Sequence, residues 1–415
     1  MDFDDTPAEA AFRREARTWI EANAPHELRP WLERSAYTTL SLPDGIDPVA
    51  VQKDWQKRKY DAGWACTHWP KAYGGRGASP VERLIWEQEE GIFRKLNTLF
   101  IINLGISGPT IMECGTDAQK AALLPRCASG EDVWCQLFSE PAGGSDLAGL
   151  RTRAERAGDG WIVNGQKIWT SGAQDSDWGL LLARTDPKQP KHAGLTMFVL
   201  QMDRPGVEIR PIRTIHGPSE FNEVFFTNVH ISDDQRLGAI NNGWRVALTT
   251  LMNERLFAGS TVPTGFEELF DFCAGYETAN GLAIDDARVK SRLAQWAVRS
   301  SGIRYAALRS ISQESKGHIP GPEHAIGKLV AGAMMQEIAM FALDLEGEAG
   351  IMADVGQAPY SARFQAMLMR SPATRILGGT DEMLRNIIAE RVLGLPPDIR
   401  VDKDVPFDKI PTAAK

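Results

Sequence analysis

The chain has 415 residues, of which 43% are hydrophobic and 24% charged, with a formal net charge of −8. That length exceeds one compact core and points to two or three domains of ordinary globular composition. The acidic balance argues against a nucleic-acid partner, so any bound anion needs a local basic patch. The opening stretch MDFDDTPAEAAFRREARTW is acidic and lacks an apolar core, which fits neither a secretory signal nor a transit peptide. No run approaches about eighteen apolar residues, so no membrane span is expected. Five dispersed cysteines and seven scattered histidines form no ligand spacing. No metal site is therefore expected, and reduced thiols in a cytoplasmic setting fit best.

Residues 1 to about 130 read as helices. Asp47 followed by Pro48 supplies an N-cap and a proline at the first helical position, ahead of VAVQKDWQKRKYDAG. Ser79, Pro80 and Glu82 add a capping box to the same device. TDAQKAALLPRCASGE reads as a further short helix closed by proline and glycine. From about Val133 to Ser232 the pattern changes to short β-branched or aromatic runs: WCQLFSE, RTRAERA, WIVNGQKIW, GLLLART, LTMFVLQM, VEIRPIRTI and NEVFFTNVHIS. Turn signals at Gly158-Asp159-Gly160 and at Asn164-Gly165 separate them, as in a compact antiparallel barrel or sandwich. After Asn241-Asn242-Gly243 helical periodicity returns and runs to Gly394 and the Pro396-Pro397 pair. Long helices with few strands suggest a four-helix bundle, followed by an extended polar tail.

Two loops of unusual composition stand out against this background. The first, QLFSEPAGGSD from Gln136, is rich in Gly, Ser and Pro and offers backbone N–H groups with little side-chain obstruction. The second, NGQKIWTSGA around Trp169, offers a flat indole beside two hydroxyls, suited to stacking on and hydrogen bonding to a polar ring system. Together, at this spacing, they closely resemble the flavin-binding middle domain of the acyl-CoA dehydrogenase family. The resemblance implies an α+β architecture. It comprises an α-helical N-terminal domain over 1–130, a small antiparallel β-barrel over 131–236, a C-terminal four-helix bundle over 237–397 and an extended tail over 398–415. It also implies FAD held between barrel and bundle.

Desaturating an acyl thioester needs a base for the α-proton, donors for the enolate-like oxygen and a flavin to accept hydride. Many family members place the base in a YEGT segment before the last helix. The matching segment here is Ile376-Leu377-Gly378-Gly379-Thr380, so Gly378 stands where the glutamate would be. In another branch the carboxylate precedes an arginine on the first bundle helix. That pair is here Glu254-Arg255, in LMNERLFAG. Alone, Glu254 is an ordinary helix-surface glutamate and Arg255 an ordinary salt-bridge partner; the resemblance makes them the base and its neighbour. Leu251 and Ala258 give Glu254 a partly apolar helix face, and burial there is expected to raise its pKa. Gly378 keeps a backbone N–H for the thioester oxygen.

On the cofactor side the resemblance assigns Gln136, Phe138 and Ser139 to the pyrimidine edge and Ser145 to the cofactor and CoA phosphates. It implies that Trp169 and Ser171 flank the isoalloxazine, with the cofactor-binding Thr170 between them, and that Thr380 and Glu382 approach the dinucleotide. Barrel core for Trp169, turn capping for Ser139 and Ser171, and helix capping for Thr380 are the plainer alternatives. Two departures stand out: Glu277-Thr278-Ala279-Asn280-Gly281 replaces an arginine-containing segment that binds the FAD pyrophosphate, and Gly347-Glu348-Ala349-Gly350 replaces a GGxG turn. WTSGAQ and EFNEVFF look most like a bacterial branch that includes enzymes for bulky or cyclic acyl-CoAs. The implied function is an FAD-dependent acyl-CoA dehydrogenase that passes electrons to an electron-transfer flavoprotein. A homodimer, a homotetramer or a mixed heterotetramer is implied with it. A flavin oxidase or monooxygenase on the same scaffold is the enzymatic alternative. A non-catalytic or nucleic-acid-binding relative is disfavoured by acidity and by Glu254. Gly105, Ser107 and Gly108 are expected to leave room for a wide acyl group.

Overall fold

The computed structural model describes residues 4–35, 40, 42–259, 264–318, 321–399 and 402–411; the side chains of Arg34 and of 255–259 lie outside that description. Two compact units emerge, one built from 1–26, 44–254 and 398–415, the other from 27–43 and 255–397. The boundary falls inside a helix, just after Glu254.

The first unit opens with helices whose ends are set by side chains. Thr6 caps α1 (Pro7–Asn23) and Ser79 caps α4 (Pro80–Glu90), each completing a capping box with a glutamate. Between them α2 (Arg29–Arg34) belongs to the second unit, and Asp47 caps α3 (Pro48–Asp61) by accepting from the Val49 N–H at 2.9 Å. After α5 (Gly108–Cys114), α6 (Asp117–Ser129) runs through Pro125 and stops at Gly130, in left-handed backbone. The proline expected to close that helix sits inside it. Trp64 and Trp86 stack with centroids 4.6 Å apart in the core of this helical layer.

Eight strands form one sheet in the order β6-β7-β3-β2-β4-β5-β8, with β1 (Trp134–Leu137) added beside β4. The members are β2 (Arg153–Ala157), β3 (Gly160–Ser171), β4 (Trp178–Arg184), β5 (Leu195–Gln201), β6 (Val207–Ile212), β7 (Phe221–Ser232) and β8 (Arg236–Leu237). Pairing is antiparallel except where β1 and β2 meet β4 in parallel. Asn164-Gly165 is not a turn. It lies within the 12-residue β3, where the register against β7 shifts between Val163 and Gly165. A Cβ at Gly165 would come within 2.5 Å of the Thr152 hydroxyl oxygen. The glycine therefore serves close packing at a bulge. The C-terminal segment is tied to this sheet's loops: the Phe407 N–H donates to the Gln189 carbonyl at 2.9 Å, and Lys191 pairs with Asp402 at 2.6 Å.

α7 (Gly243–Gly259) carries the chain across the boundary. The second unit holds α8 (Phe266–Gly275), a minimal hairpin of Glu277–Thr278 and Gly281–Leu282, α9 (Ala287–Glu314), α10 (His324–Glu346), α11 (Arg363–Ile376) and α12 (Asp381–Ile387). α10 is central and touches α8, α9, α11 and α12. With the turn after it, α10 is long and apolar enough to cross a membrane by composition alone. Here its Met334, Met335, Ile338 and Ala339 fill the core with Phe272, Trp296 and Phe364.

Gly108 does not open space for a ligand. A Cβ there would lie 2.1 Å from the buried Trp69 ring, so the missing side chain is the room that Trp69 occupies. Gly108→Ala should destabilise the protein by about 1–3 kcal/mol, the usual cost of overpacking, seen as a lower melting temperature.

Candidate active site

The site residues of the first unit are carried by three pieces of chain: the segment leaving β1, the outer end of β3 and the middle of α7. Val246 and Ala247 of α7 are buried in the core of this unit and Leu251 packs against it, which sets the rotation of the helix. The Thr250 and Thr110 hydroxyls lie 3.2 Å apart and pin the same face. Glu254, one turn further on, is half-buried. The Gln136 side-chain amide donates to its Oε2 at 3.4 Å, a long contact that nonetheless links the helix to β1. Arg255 continues α7, and its side chain lies outside the described residues, as does that of Ala258.

Beyond Leu137 the chain leaves the sheet. Phe138 is buried and Ser139 half-buried, and the Ser139 carbonyl accepts from the Ile168 N–H of β3 at 2.9 Å. Neither the Phe138 nor the Ser139 N–H has an acceptor among the described residues. Glu140 and Gly143 pair through both backbone groups and close the Pro-Ala-Gly turn, leaving Ser145 exposed. The Asp146 side chain next to it meets Lys191 at 2.9 Å.

Trp169 is not in a loop and not in the core. It stands in a second bulge of β3, between Lys167 and Thr170, with φ +60° and 57% exposure. Its ring lies edge-on to Phe221 at 6.1 Å. A tryptophan with positive φ is strained by about 1–3 kcal/mol and persists only where its surroundings over-determine it. Here the ladder resumes at Thr170 opposite Asn222, whose amide donates to the Thr170 carbonyl at 3.0 Å. The Thr170 hydroxyl is buried without a partner among the described residues, and Ser171 is exposed.

Sequence reasoning passed over the two groups that join these pieces. Lys167 and Glu140, with side chains 0% and 6% exposed, pair at 2.9 Å, and Lys167 also donates to the Phe138 carbonyl at 3.0 Å. The Glu140 carboxylate accepts from the Arg151 and Thr152 N–H groups at 2.6 and 2.9 Å. Burial works to raise the Glu140 pKa, but the Lys167 charge and these donors outweigh it and hold it below the ordinary value. Burial pulls the Lys167 pKa down, and Glu140 opposes that pull. A signal was present: Trp161, Val163 and Lys167 share the inward parity of β3, and a lysine there demands a buried partner.

In the second unit Gly378 and Gly379 are both left-handed, at φ +61° and +96°, and form the turn between α11 and α12. The Gly378 N–H has no backbone acceptor among the described residues. Thr380 caps α12 by accepting from the Met383 N–H at 3.2 Å, and Glu382 is exposed in the first turn. Glu277 to Gly281 make the small hairpin, closed by the Thr278 hydroxyl on the Gly281 carbonyl at 2.8 Å.

The residues of the first unit fit a flavin. An outward indole, unclaimed N–H groups at Phe138 and Ser139 and exposed hydroxyls at Ser145 and Ser171 are the surface and donors that a carbonyl-rich ring and its phosphates require.

Comparison with known proteins identifies the family through three domains. Models of the acyl-CoA dehydrogenase N-terminal, middle and C-terminal domains match residues 6–131, 135–229 and 241–393. Acyl-CoA dehydrogenase FadE34 of Mycobacterium tuberculosis is 38% identical over 371 residues, which is 89% of this chain and 49% of that protein. The chain thus spans about half the length of FadE34. Acyl-CoA dehydrogenase IpdE1 of the same organism is 35% identical over 392 residues, 94% of this chain and 98% of its own length. Among solved structures, the Tcur3481–Tcur3483 steroid ACAD superposes with a TM-score of 0.79 at 26% identity, over 96% of this chain and 100% of the other.

Because the Glu140 pKa is lowered by folding, its stabilisation is complete above the ordinary value of 4.5 and is lost as pH falls through the folded value. Glu140→Gln should therefore cost about 3–5 kcal/mol at neutral pH, the scale for breaking a buried pair. Urea titrations at stepped pH should show the gap to wild type closing only below about 4.5.

Proposed function

This chain belongs to the acyl-CoA dehydrogenase family of FAD-dependent oxidoreductases, and from that premise we propose that it desaturates a bulky acyl-CoA thioester at the α,β bond, with Glu254 as base. The observation that carries this reading is the Gln136–Glu254 contact at 3.4 Å. It brings a half-buried carboxylate on α7 to the segment whose N–H groups and hydroxyls suit a flavin. Gln136 donates to this carboxylate, the group proposed to take the α-proton. Gly378 offers no side chain that accepts a proton, and its unclaimed N–H is a donor for the thioester oxygen as negative charge gathers there. Such backbone donors are worth roughly 3–4 kcal/mol in other enzymes. FAD, when bound, supplies the acceptor for the hydride that leaves the β-carbon. Trp169 gives that ring a flat apolar neighbour and excludes water from one side.

The steroid ACAD to which the chain is similar supports a wide, ring-bearing acyl group. That structure carries two protein names, which supports a mixed-subunit assembly for this chain as well. The loss of the pyrophosphate arginine at Glu277 to Gly281 and the altered Gly347 to Gly350 turn favour the same reading. An electron-transfer flavoprotein is the proposed electron acceptor.

Glu254→Gln should leave flavin binding intact and slow anaerobic bleaching by a matching acyl-CoA at least roughly 10²-fold, the usual scale for a general base. Bleaching at the wild-type rate would remove Glu254 from the mechanism. Oxygen consumption without an electron-transfer partner would turn the assignment to an oxidase.

A further inference from the structure

The steps above leave the Lys167–Glu140 pair unused. Replacing such a buried pair by apolar residues of similar volume is often neutral or stabilising, so stability alone does not explain an ammonium at this point. What the ammonium touches is more informative. The Phe138 carbonyl, which accepts from Lys167 at 3.0 Å, belongs to the same planar peptide unit as the Ser139 N–H. A cation on the oxygen draws charge along the amide resonance and makes that N–H a stronger donor, and low surrounding polarity enhances the effect. The Ser139 N–H has no acceptor among the described residues. Lys167 also stands two positions before Trp169, at the start of the bulge that turns the indole outward. One side chain thus reaches both flavin-facing segments.

We infer that the Lys167–Glu140 pair is a positioning and polarising device for the cofactor: it fixes the Phe138–Ser139 peptide relative to the Trp169 bulge and sharpens the Ser139 N–H as a donor to a ring carbonyl. Glu140 balances the charge, so the site gains donor strength without a net positive charge that would favour any anion. The inference rests on the reading that FAD binds to this face of the first unit. Reduction places extra electron density on the flavin, so a stronger donor favours the reduced ring more than the oxidised one. Lys167 thereby raises the midpoint potential as well as the affinity.

The test is the double variant Lys167→Met with Glu140→Gln, which removes both charges together and leaves no unpaired ion. Its apoprotein should melt near the wild-type temperature. Its FAD dissociation constant, from fluorescence titration, should rise about 10-fold, equivalent to about 1.4 kcal/mol. Its midpoint potential should move to more negative values. A folded double variant with unchanged affinity and potential overturns the inference and leaves the proposed activity standing. A wild-type protein that binds no FAD overturns both. If the variant does not fold, the wild type decides: infrared spectra of carbonyl-labelled FAD should show the pyrimidine carbonyl stretch lowered on binding relative to water. An unshifted band overturns the inference.

Discussion

The middle of the molecule depends on one constraint: β3 must stay paired to β7 from Gly160 to Ser171 while giving up register twice. An unbroken ladder would alternate its side chains strictly, burying Trp161, Val163 and every second residue after them. Both bulges, at Gly165 and at Trp169, shift the partner count, but Lys167 stays on the inward parity after the first, and only the second re-aims the side chains, so that Thr170 is buried beyond it. Without the second bulge the indole has no reason to face solvent. The left-handed backbone of Trp169 is the local cost, and it is held by pairing on both sides, at Lys167 opposite Val224 and at Thr170 opposite Asn222. Exposure of a large aromatic ring and strain at its own backbone coincide at Trp169, which is what its proposed place beside the cofactor would require.

From that constraint the electrostatics follow. Lys167 is the last regularly paired residue before the bulge and points inward, so its charge needs acceptors inside the sheet. The segment leaving β1 supplies them in Phe138 and Glu140. Glu140 in turn gathers the N–H groups of Arg151 and Thr152, which stand at the entrance to β2. The Lys167 ammonium and both Glu140 oxygens all have partners, and those partners lie on different stretches of chain. A fully satisfied buried network rigidifies its surroundings, and here the surroundings are the proposed cofactor face.

Much of this was legible in the residues. Thr, Ser and Asp caps, the period-2 block between helical blocks and the Gly158–Gly160 hairpin turn follow from local chemistry, and local chemistry decides them. Pro125 misled because a helix held by one buried face, through Leu123, Leu124, Cys127 and Ala128, tolerates a proline that a free helix would not. Asn164-Gly165 misled because the same dipeptide serves a hairpin turn and a bulge, and only the partner strand distinguishes the two. Gly108 misled because absent volume reads as space until the neighbour that fills it, Trp69, is known. The candidate site was legible mainly through resemblance. Composition alone marked two odd loops, but not the pair of charges that holds them together, since neighbours 27 residues apart leave no periodic trace.

The place of the proposed base can be argued from backbone geometry as well. Gly378 and Gly379 are both left-handed, and an L side chain in that region is disfavoured by crowding of its Cβ against the backbone. A carboxylate at position 378 would have to be carried by strained backbone at the point where a precise aim is needed. In the middle of α7 a carboxylate rides on unstrained helix, and its rotation is set by Val246 and Ala247 in the core and by the Thr110–Thr250 contact. The turn is then free to be all backbone, which suits a pair of glycines and leaves the Gly378 N–H unobstructed. On the proposed reading, proton removal would therefore fall to helix backbone, and the strained turn would not have to carry the acid.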